Sequence, residues 1–159
     1  HSLAPRRKLV LGGISIPFDM GLEGFGDGDV LSHAVIDALL GAAALDDIGG
    51  HFPPEDEHHQ GMSSLVLLSR TGMELAEHGW QVVNIDATIL AEAPRLAPFI
   101  DGMREALAYM LCMSMARINI KAHTSNGLGI APKGLGIAAY AVALIDEAPK
   151  RPEQYDSFV

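Results

Sequence analysis

From Ala116 to Ala122 the chain alternates cleanly, with Arg117, Asn119 and Lys121 in every second position and Ile118 and Ile120 between them. Successive side chains of a strand point to opposite faces, so this pattern predicts a β-strand with one polar and one apolar side. Gln81 to Leu90 reads as a second strand, rich in β-branched residues and continuously apolar, which suits burial on at least one face. A third, Leu9 to Pro17, is broken by Gly12-Gly13, where a bulge or turn is expected. Residues Phe18 to Gly28 read as a loop.

Between the strands the apolar period changes. Val30, Ala34, Ile36, Ala38, Leu39 and Ala42 approximate helical spacing behind Asp27-Gly28-Asp29, and an aspartate at a helix start satisfies free amides. Ser63 or Ser64 caps a helix from Leu65 to about His78, with Gly79 as its left-handed terminator. A helix from about Leu96 to Leu111 follows Pro94, and a last helix is expected from roughly Lys133 to Ile145. Asp46 to Gly61 fits neither period and reads as a loop. The order strand, helix, helix, strand, helix, strand, helix predicts an α/β (α+β) fold, a small sheet covered by helices.

With 159 residues, one domain over residues 1–146 and a polar C-terminal tail over 147–159 is the economical division. The formal charge of −9 disfavours nucleic acid and anionic membrane as partners. The longest apolar stretch, Val30 to Leu45, is interrupted by His33 and Asp37 and is short of the roughly 20 residues a spanning helix needs. A single cysteine, Cys112, fits a reducing compartment and reads as a packed thiol among Leu111 and methionines. The basic cluster Pro5-Arg6-Arg7-Lys8 is not followed by a signal-peptide core, and a start at His1 suggests residues lost upstream.

Four segments could carry chemistry. Asp29, His33 and Asp37, four residues apart, share one helix face and could bind a cation, although a cap and a hydrogen-bonded histidine would give the same spacing. Asp47-Ile48-Gly49-Gly50-His51-Phe52-Pro53 could embrace a small polyol or be a surface loop. Ala91-Glu92-Ala93-Pro94-Arg95 and Lys121-Ala122-His123-Thr124-Ser125-Asn126 each follow a strand, where sheets place ligands, and offer hydroxyls, amides and a cation for phosphate oxygens. His58 and His59, beside Glu55, Asp56 and Glu57, read as a solvated charge cluster.

In order, Leu11-Gly12-Gly13, Asp27-Gly28-Asp29-Val30, His33, Asp37-Ala38-Leu39-Leu40-Gly41-Ala42, Asp47-Ile48-Gly49, Phe52-Pro53, Ala91-Glu92-Ala93-Pro94 and Asn119-Ile120-Lys121-Ala122 resemble the 2-C-methyl-D-erythritol 2,4-cyclodiphosphate synthase family. The resemblance covers His1 to about Ile145. It implies a homotrimer with active sites between subunits. It also implies a reaction in which the 2-phosphate of 4-diphosphocytidyl-2-C-methyl-D-erythritol 2-phosphate attacks the β-phosphorus, closing the cyclic diphosphate and releasing CMP. Such a transfer depends on positioning and charge neutralisation.

The resemblance implies Zn²⁺ held by His1 and His33, with the aspartate of the family's Asp-x-His falling two positions before His1. The α-amine of His1 could chelate beside its ring. Mg²⁺ or Mn²⁺ would accompany the substrate diphosphate, with Asn126 where the family has glutamate. Asp47, Gly49, Phe52 and Pro53 match the methylerythritol site. Ala91, Pro94 and Arg95 match the cytidine-phosphate site, and Thr124 matches a group that stabilises the transition state; His123 and Thr124 are further substrate-binding candidates, and Asp47 is a second catalytic one. Lys133 stands where the family has a phosphate-binding arginine, with Pro132 for glycine and Ile130 for phenylalanine. Phe25-Gly26 replaces a His-Ser pair that assists transfer. The alternative is a weakened or inactive relative that binds a nucleotide or an isoprenoid phosphate. The compartment implied is cytoplasmic in a bacterium and a plastid-type organelle in a eukaryote.

Overall fold

The computed structural model describes residues 1–24, 26–53, 61–126 and 135–149. Phe25, His58, His59, Ile130, Pro132 and Lys133 lie outside the described residues, as does most of the expected tail.

The sheet is built around β5 (Trp80–Leu90). Strand β6 (Ile118–His123) runs parallel to it on one side, and β7 (Ala138–Glu147) runs antiparallel on the other. Ile85, Ala87 and Ile89 of β5, with Ile118 and Ile120 of β6, point into the core, so the alternation expected for β6 is borne out. β7 occupies the place where the last helix was expected. Its pairing with β5 from Trp80↔Glu147 to Leu90↔Ala138 supplies backbone partners along nearly its whole length, and this long-range ladder overrides the helical preference of its alanines.

Two short antiparallel pairs precede this sheet. β2 (Leu9–Leu11) and β3 (Ile14–Ile16) form a hairpin, so the Gly12-Gly13 break is a turn, with φ of +55° and +75° that only glycine adopts readily. β1 (Leu3–Pro5) pairs with β4 (Met20–Leu22) inside the segment expected to be a loop. Three residues per strand give too little pattern to distinguish a strand from a loop.

Helices cover one side of the sheet. α1 (Val30–Ala42) lies over β7 and β5 and buries Leu31, Val35, Ile36, Leu39 and Leu40. α2 (Ile48–His51) is a single turn inside the expected Asp46–Gly61 loop, too short to show a period. α3 (Ser64–Glu77) starts at its Ser63 cap, packs on α1 and α4, and is followed by Gly79 at φ +82°. α4 (Ile100–Met110) follows a 3₁₀ turn at Ala97–Phe99 and buries Met103 and Leu107. Among the described residues no helix is long and apolar enough to cross a membrane. Cys112, beyond the end of α4, is exposed at φ +52°, contrary to its reading as a packed thiol; the turn that ends the helix carries it outward.

Among the described residues no helix covers the opposite side of the sheet. Along β7, Tyr140, Val142 and Leu144 are 51%, 67% and 57% exposed, while Ala139, Ala141 and Ala143 face the core between them. On the same open side, Lys121 Nζ lies 2.6 and 2.5 Å from the two oxygens of Asp86, and Asn119 Nδ2 donates to Asp86 Oδ1 at 3.0 Å. The Lys121 bond, followed by that of Asn119, holds the Asp86 carboxyl below its usual range. Lys121 is therefore committed to a neighbouring strand and is not the free phosphate-binding cation that its position in the sequence suggested.

Candidate active site

Asp29 and Asp37 belong to the scaffold. Asp29 is fully buried and caps α1. Its Oδ1 accepts from the amides of Gly12 (2.9 Å) and Ser32 (3.0 Å), and its Oδ2 accepts from the amide of Gly13 and the hydroxyl of Ser32, both at 2.7 Å. Burial pushes this carboxyl up and the four donors pull it back. Asp37 accepts from the Ile48 amide at 2.9 Å, fixing the start of α2 against α1. The structural alternative to a cation site thus holds for both aspartates, while His33, one helical turn after Asp29, is left with a different task.

The two ring nitrogens of His33 have distinct partners. Ser64 Oγ donates to Asp27 Oδ1, and Ser64 N donates to Asp27 Oδ2 at 2.9 Å. With its proton committed, Ser64 Oγ accepts from His33 Nε2–H across 2.9 Å, which leaves the lone pair on Nδ1. His1 is the mirror case: its Nδ1 faces the carbonyl of Glu23, which can only accept, so its lone pair is on Nε2. The two lone-pair nitrogens, His33 Nδ1 and His1 Nε2, are 3.4 Å apart. Two nitrogens on one tetrahedral zinc, each at about 2.0–2.1 Å, stand about 3.3–3.4 Å apart, so the donor pair fits the ion in spacing and tautomer.

Burial lowers the pKa of His33, outweighing the opposing pull of Asp29, Asp27 and Asp37, and this favours the neutral ring that a metal requires. Among the described residues no group of three His, Cys, Asp or Glu is gathered for a metal. The backbone nitrogen of His1 donates to the Ile137 carbonyl at 3.1 Å, away from the two ring nitrogens, which speaks against its joining them on a metal.

Asp37, one turn beyond His33 on α1, leads through Ile48 to the Asp47 turn. Asp47 caps α2 by accepting from Gly50 N at 2.9 Å through Oδ1, and both Asp47 and Gly49 are exposed. Pro53 is half-buried, whereas Phe52 is only 9% exposed and packs into the core, bracing the turn from below. His51 Nε2 meets the Leu45 carbonyl and Nδ1 meets Glu74 of α3, two ties that no spacing or composition signals.

The ends of β5 and β6 form the second half. A cavity of about 390 Å³ there is lined by Ala91, Pro94 and Arg95, the three residues matched to one pocket, by the site candidates His123 and Thr124, and by Glu92, Leu96, Ala97, Ile100 and Ala122. The parallel pairing Leu90↔His123 and the bond from Ala91 N to His123 O (3.0 Å) bring the two loops side by side. Thr124 Oγ1 donates to Asn126 Oδ1 at 3.1 Å, so Asn126 presents one neutral oxygen with a second lone pair open. None of His1, His33 or Asp47 lines this cavity.

The model of the YgbB family matches residues 1–146. The chain belongs to that family. It is 50% identical over 147 residues to the 2-C-methyl-D-erythritol 2,4-cyclodiphosphate synthase of Clostridium novyi, covering 92% of this chain and 94% of that one. It is 53% identical over 145 residues to the enzyme of the same name from Pelotomaculum thermopropionicum, covering 91% and 90%. A solved structure of a 2C-methyl-D-erythritol-2,4-cyclodiphosphate synthase in a CDP-bound form matches with a TM-score of 0.84 at 32% identity, over 92% of this chain and 95% of that one. The family and the fold thus agree with the resemblance read from the sequence.

Proposed function

We propose that this chain is a cyclodiphosphate synthase of the non-mevalonate isoprenoid pathway. It converts 4-diphosphocytidyl-2-C-methyl-D-erythritol 2-phosphate to 2-C-methyl-D-erythritol 2,4-cyclodiphosphate and CMP. The observation that carries this is the convergence of Ala91, Pro94, Arg95, His123 and Thr124 on one cavity, in a chain whose relatives carry that enzyme's name. Its volume lies within the usual range for small-molecule sites. Those names also favour catalysis over a binding-only relative.

The cavity takes the cytidine-phosphate end, with Arg95 supplying positive charge to the phosphates. Asp47, whose Oδ1 is used by its own cap, accepts a methylerythritol hydroxyl through Oδ2. The Thr124 hydroxyl turns from Asn126 to a phosphoryl oxygen as charge builds there. His1 and His33 would hold Zn²⁺, which would supply charge to neutralise and orient the attacking phosphate. Mg²⁺ or Mn²⁺ would arrive on the substrate diphosphate, with Asn126 Oδ1 as a protein oxygen.

Because the His1/His33/Asp47 group and the cavity are separate on one chain, a complete site needs a second copy. The open side of the sheet, with Tyr140, Val142 and Leu144, is the surface for assembly into a homotrimer. The test is CMP release from this substrate by the purified chain, with Zn²⁺ and Mg²⁺ supplied and then chelated. CMP formed together with the cyclic diphosphate, and lost on chelation, is expected; no CMP under any metal condition refutes the reading.

A further inference from the structure

A carboxylate in the wall of a cavity that receives phosphates is electrostatically misplaced unless it holds something. Glu92 is such a group: half-buried, in the loop after β5, it lines the cavity. Its Oε1 accepts two bonds from one residue of the neighbouring loop, Ser125 N at 2.8 Å and Ser125 Oγ at 2.6 Å. Hydrogen bonds to a carboxylate are of the strong, charge-assisted kind, and two donors on one oxygen also draw off its charge.

Ser125 is covalently joined to Thr124 on one side and to Asn126 on the other. Asn126 stands at φ +52°, and its side-chain oxygen takes the Thr124 hydroxyl. The short turn that presents Thr124 is thus gripped at its centre from the opposite loop. We infer that Glu92 is a positioning residue for the reaction proposed above: through Ser125 it fixes the Thr124 hydroxyl relative to the loop that receives the cytidine phosphate. The inference rests on the roles given to that cavity and to Thr124. A hydroxyl displaced by about 1 Å from its place in a phosphoryl transfer can cost about 100-fold in rate, which is the scale at which such a clamp matters.

The experiment compares steady-state CMP release with calorimetric CDP binding in the full chain, in Glu92→Leu, Glu92→Gln and Thr124→Ala, and in the Glu92→Leu/Thr124→Ala double variant. Glu92→Leu should lower kcat about 10–100-fold while the CDP Kd moves less than about threefold. Glu92→Gln keeps an oxygen that accepts both Ser125 donors and should stay within about threefold of the parent. In the Thr124→Ala background, Glu92→Leu should cost less than about twofold more, because the group it positions is already gone.

An unchanged kcat in Glu92→Leu overturns the inference. So does a CDP affinity that falls in step with kcat, or an equal loss with and without Thr124. A Thr124→Ala variant with full kcat removes the role of Thr124 itself and the inference with it, while failure of the parent to release CMP removes the proposed function. If Glu92→Leu does not fold, Ser125→Ala deletes one of the two bonds. It should lower kcat about 3–10-fold, again with less than about twofold further cost once Thr124 is alanine, and an unchanged kcat there overturns the inference.

Discussion

His51 Nδ1 lies 3.0 Å from Glu74 Oε2, which ties the turn that presents Asp47 to the body of α3. The other ring nitrogen of His51 meets the Leu45 carbonyl, so the ring joins the end of α2, the segment before it and a neighbouring helix. His51→Ala should raise KM for the CDP-linked substrate about 5–30-fold, from loss of about 1–2 kcal/mol of preorganisation, with CDP affinity unchanged because CDP uses the other half of the site. Steady-state kinetics beside CDP calorimetry checks both, and an unchanged KM would show that the Asp47 turn is fixed without the tie.

Ser64 determines which nitrogen of His33 faces His1. Ser64→Ala leaves Nε2 without its acceptor and frees the ring to take either tautomer, so the Zn²⁺ Kd should weaken about 10–100-fold with the fold retained. A competition titration with a chromophoric chelator reads the affinity directly. An equal Kd in both proteins would mean that the metal, and not Ser64, selects the tautomer.

The same histidine makes a pH prediction for the metal-free protein. Burial holds the His33 imidazole below its ordinary 6.5, so between the two values the folded chain binds fewer protons than the unfolded one. Stability from this source is complete above about pH 6.5 and is lost as pH falls through the lowered folded value. Urea unfolding at a series of pH values should show this slope, and His33→Gln should remove it. An NMR titration of His33 at or above 6.5 would refute the assignment.

Much of the fold could be read where period and length agree. The β5, β6 and α3 segments were each within a residue or two of their expected place, because alternation or a cap marked them. β7 was missed for a physical reason. Its residues Ala138 to Ile145 are nearly all apolar, so the hydrophobic period vanishes, and the remaining pattern, alanine inward against Tyr140, Val142 and Leu144 outward, is one of size. The cavity loops were marked by their place after β5 and β6, and family resemblance set them apart from ordinary turn composition such as Thr-Ser-Asn. The clamp by Glu92 and the tie by His51 were not legible, because each depends on a partner brought from more than twenty residues away.

Gly26 stands where the family's serine was expected, and its backbone resists that residue. It has φ of +68°, a Cβ there would lie 2.7 Å from the Met62 carbonyl oxygen, and Arg7 donates to its own carbonyl at 3.2 Å. Gly26→Ser should therefore cost about 1–2 kcal/mol, seen as a melting temperature a few degrees lower. Restoring the family's His-Ser pair at positions 25 and 26 improves turnover only if the loop shifts away from Met62. An unchanged melting temperature in the single variant would show that the shift is free.

The open side of the sheet makes the last prediction. Replacing Val142 and Leu144 with aspartate places charges on apolar surface that assembly would bury. The expected result by light scattering is a monomer in place of a trimer, with CMP release lost and CDP binding kept. A variant that remains assembled would move the interface elsewhere.

Asp29 joins two elements that fold from distant parts of the chain: one carboxylate ends the amide row of α1 and also closes the β2–β3 turn through Gly12 and Gly13. A fluctuation that frays the first turn of α1 must release the hairpin in the same event, because all four donors share two oxygens. His33 sits one turn above this knot. The start of α1 that carries His33 therefore opens together with the β2–β3 turn, as one cooperative unit.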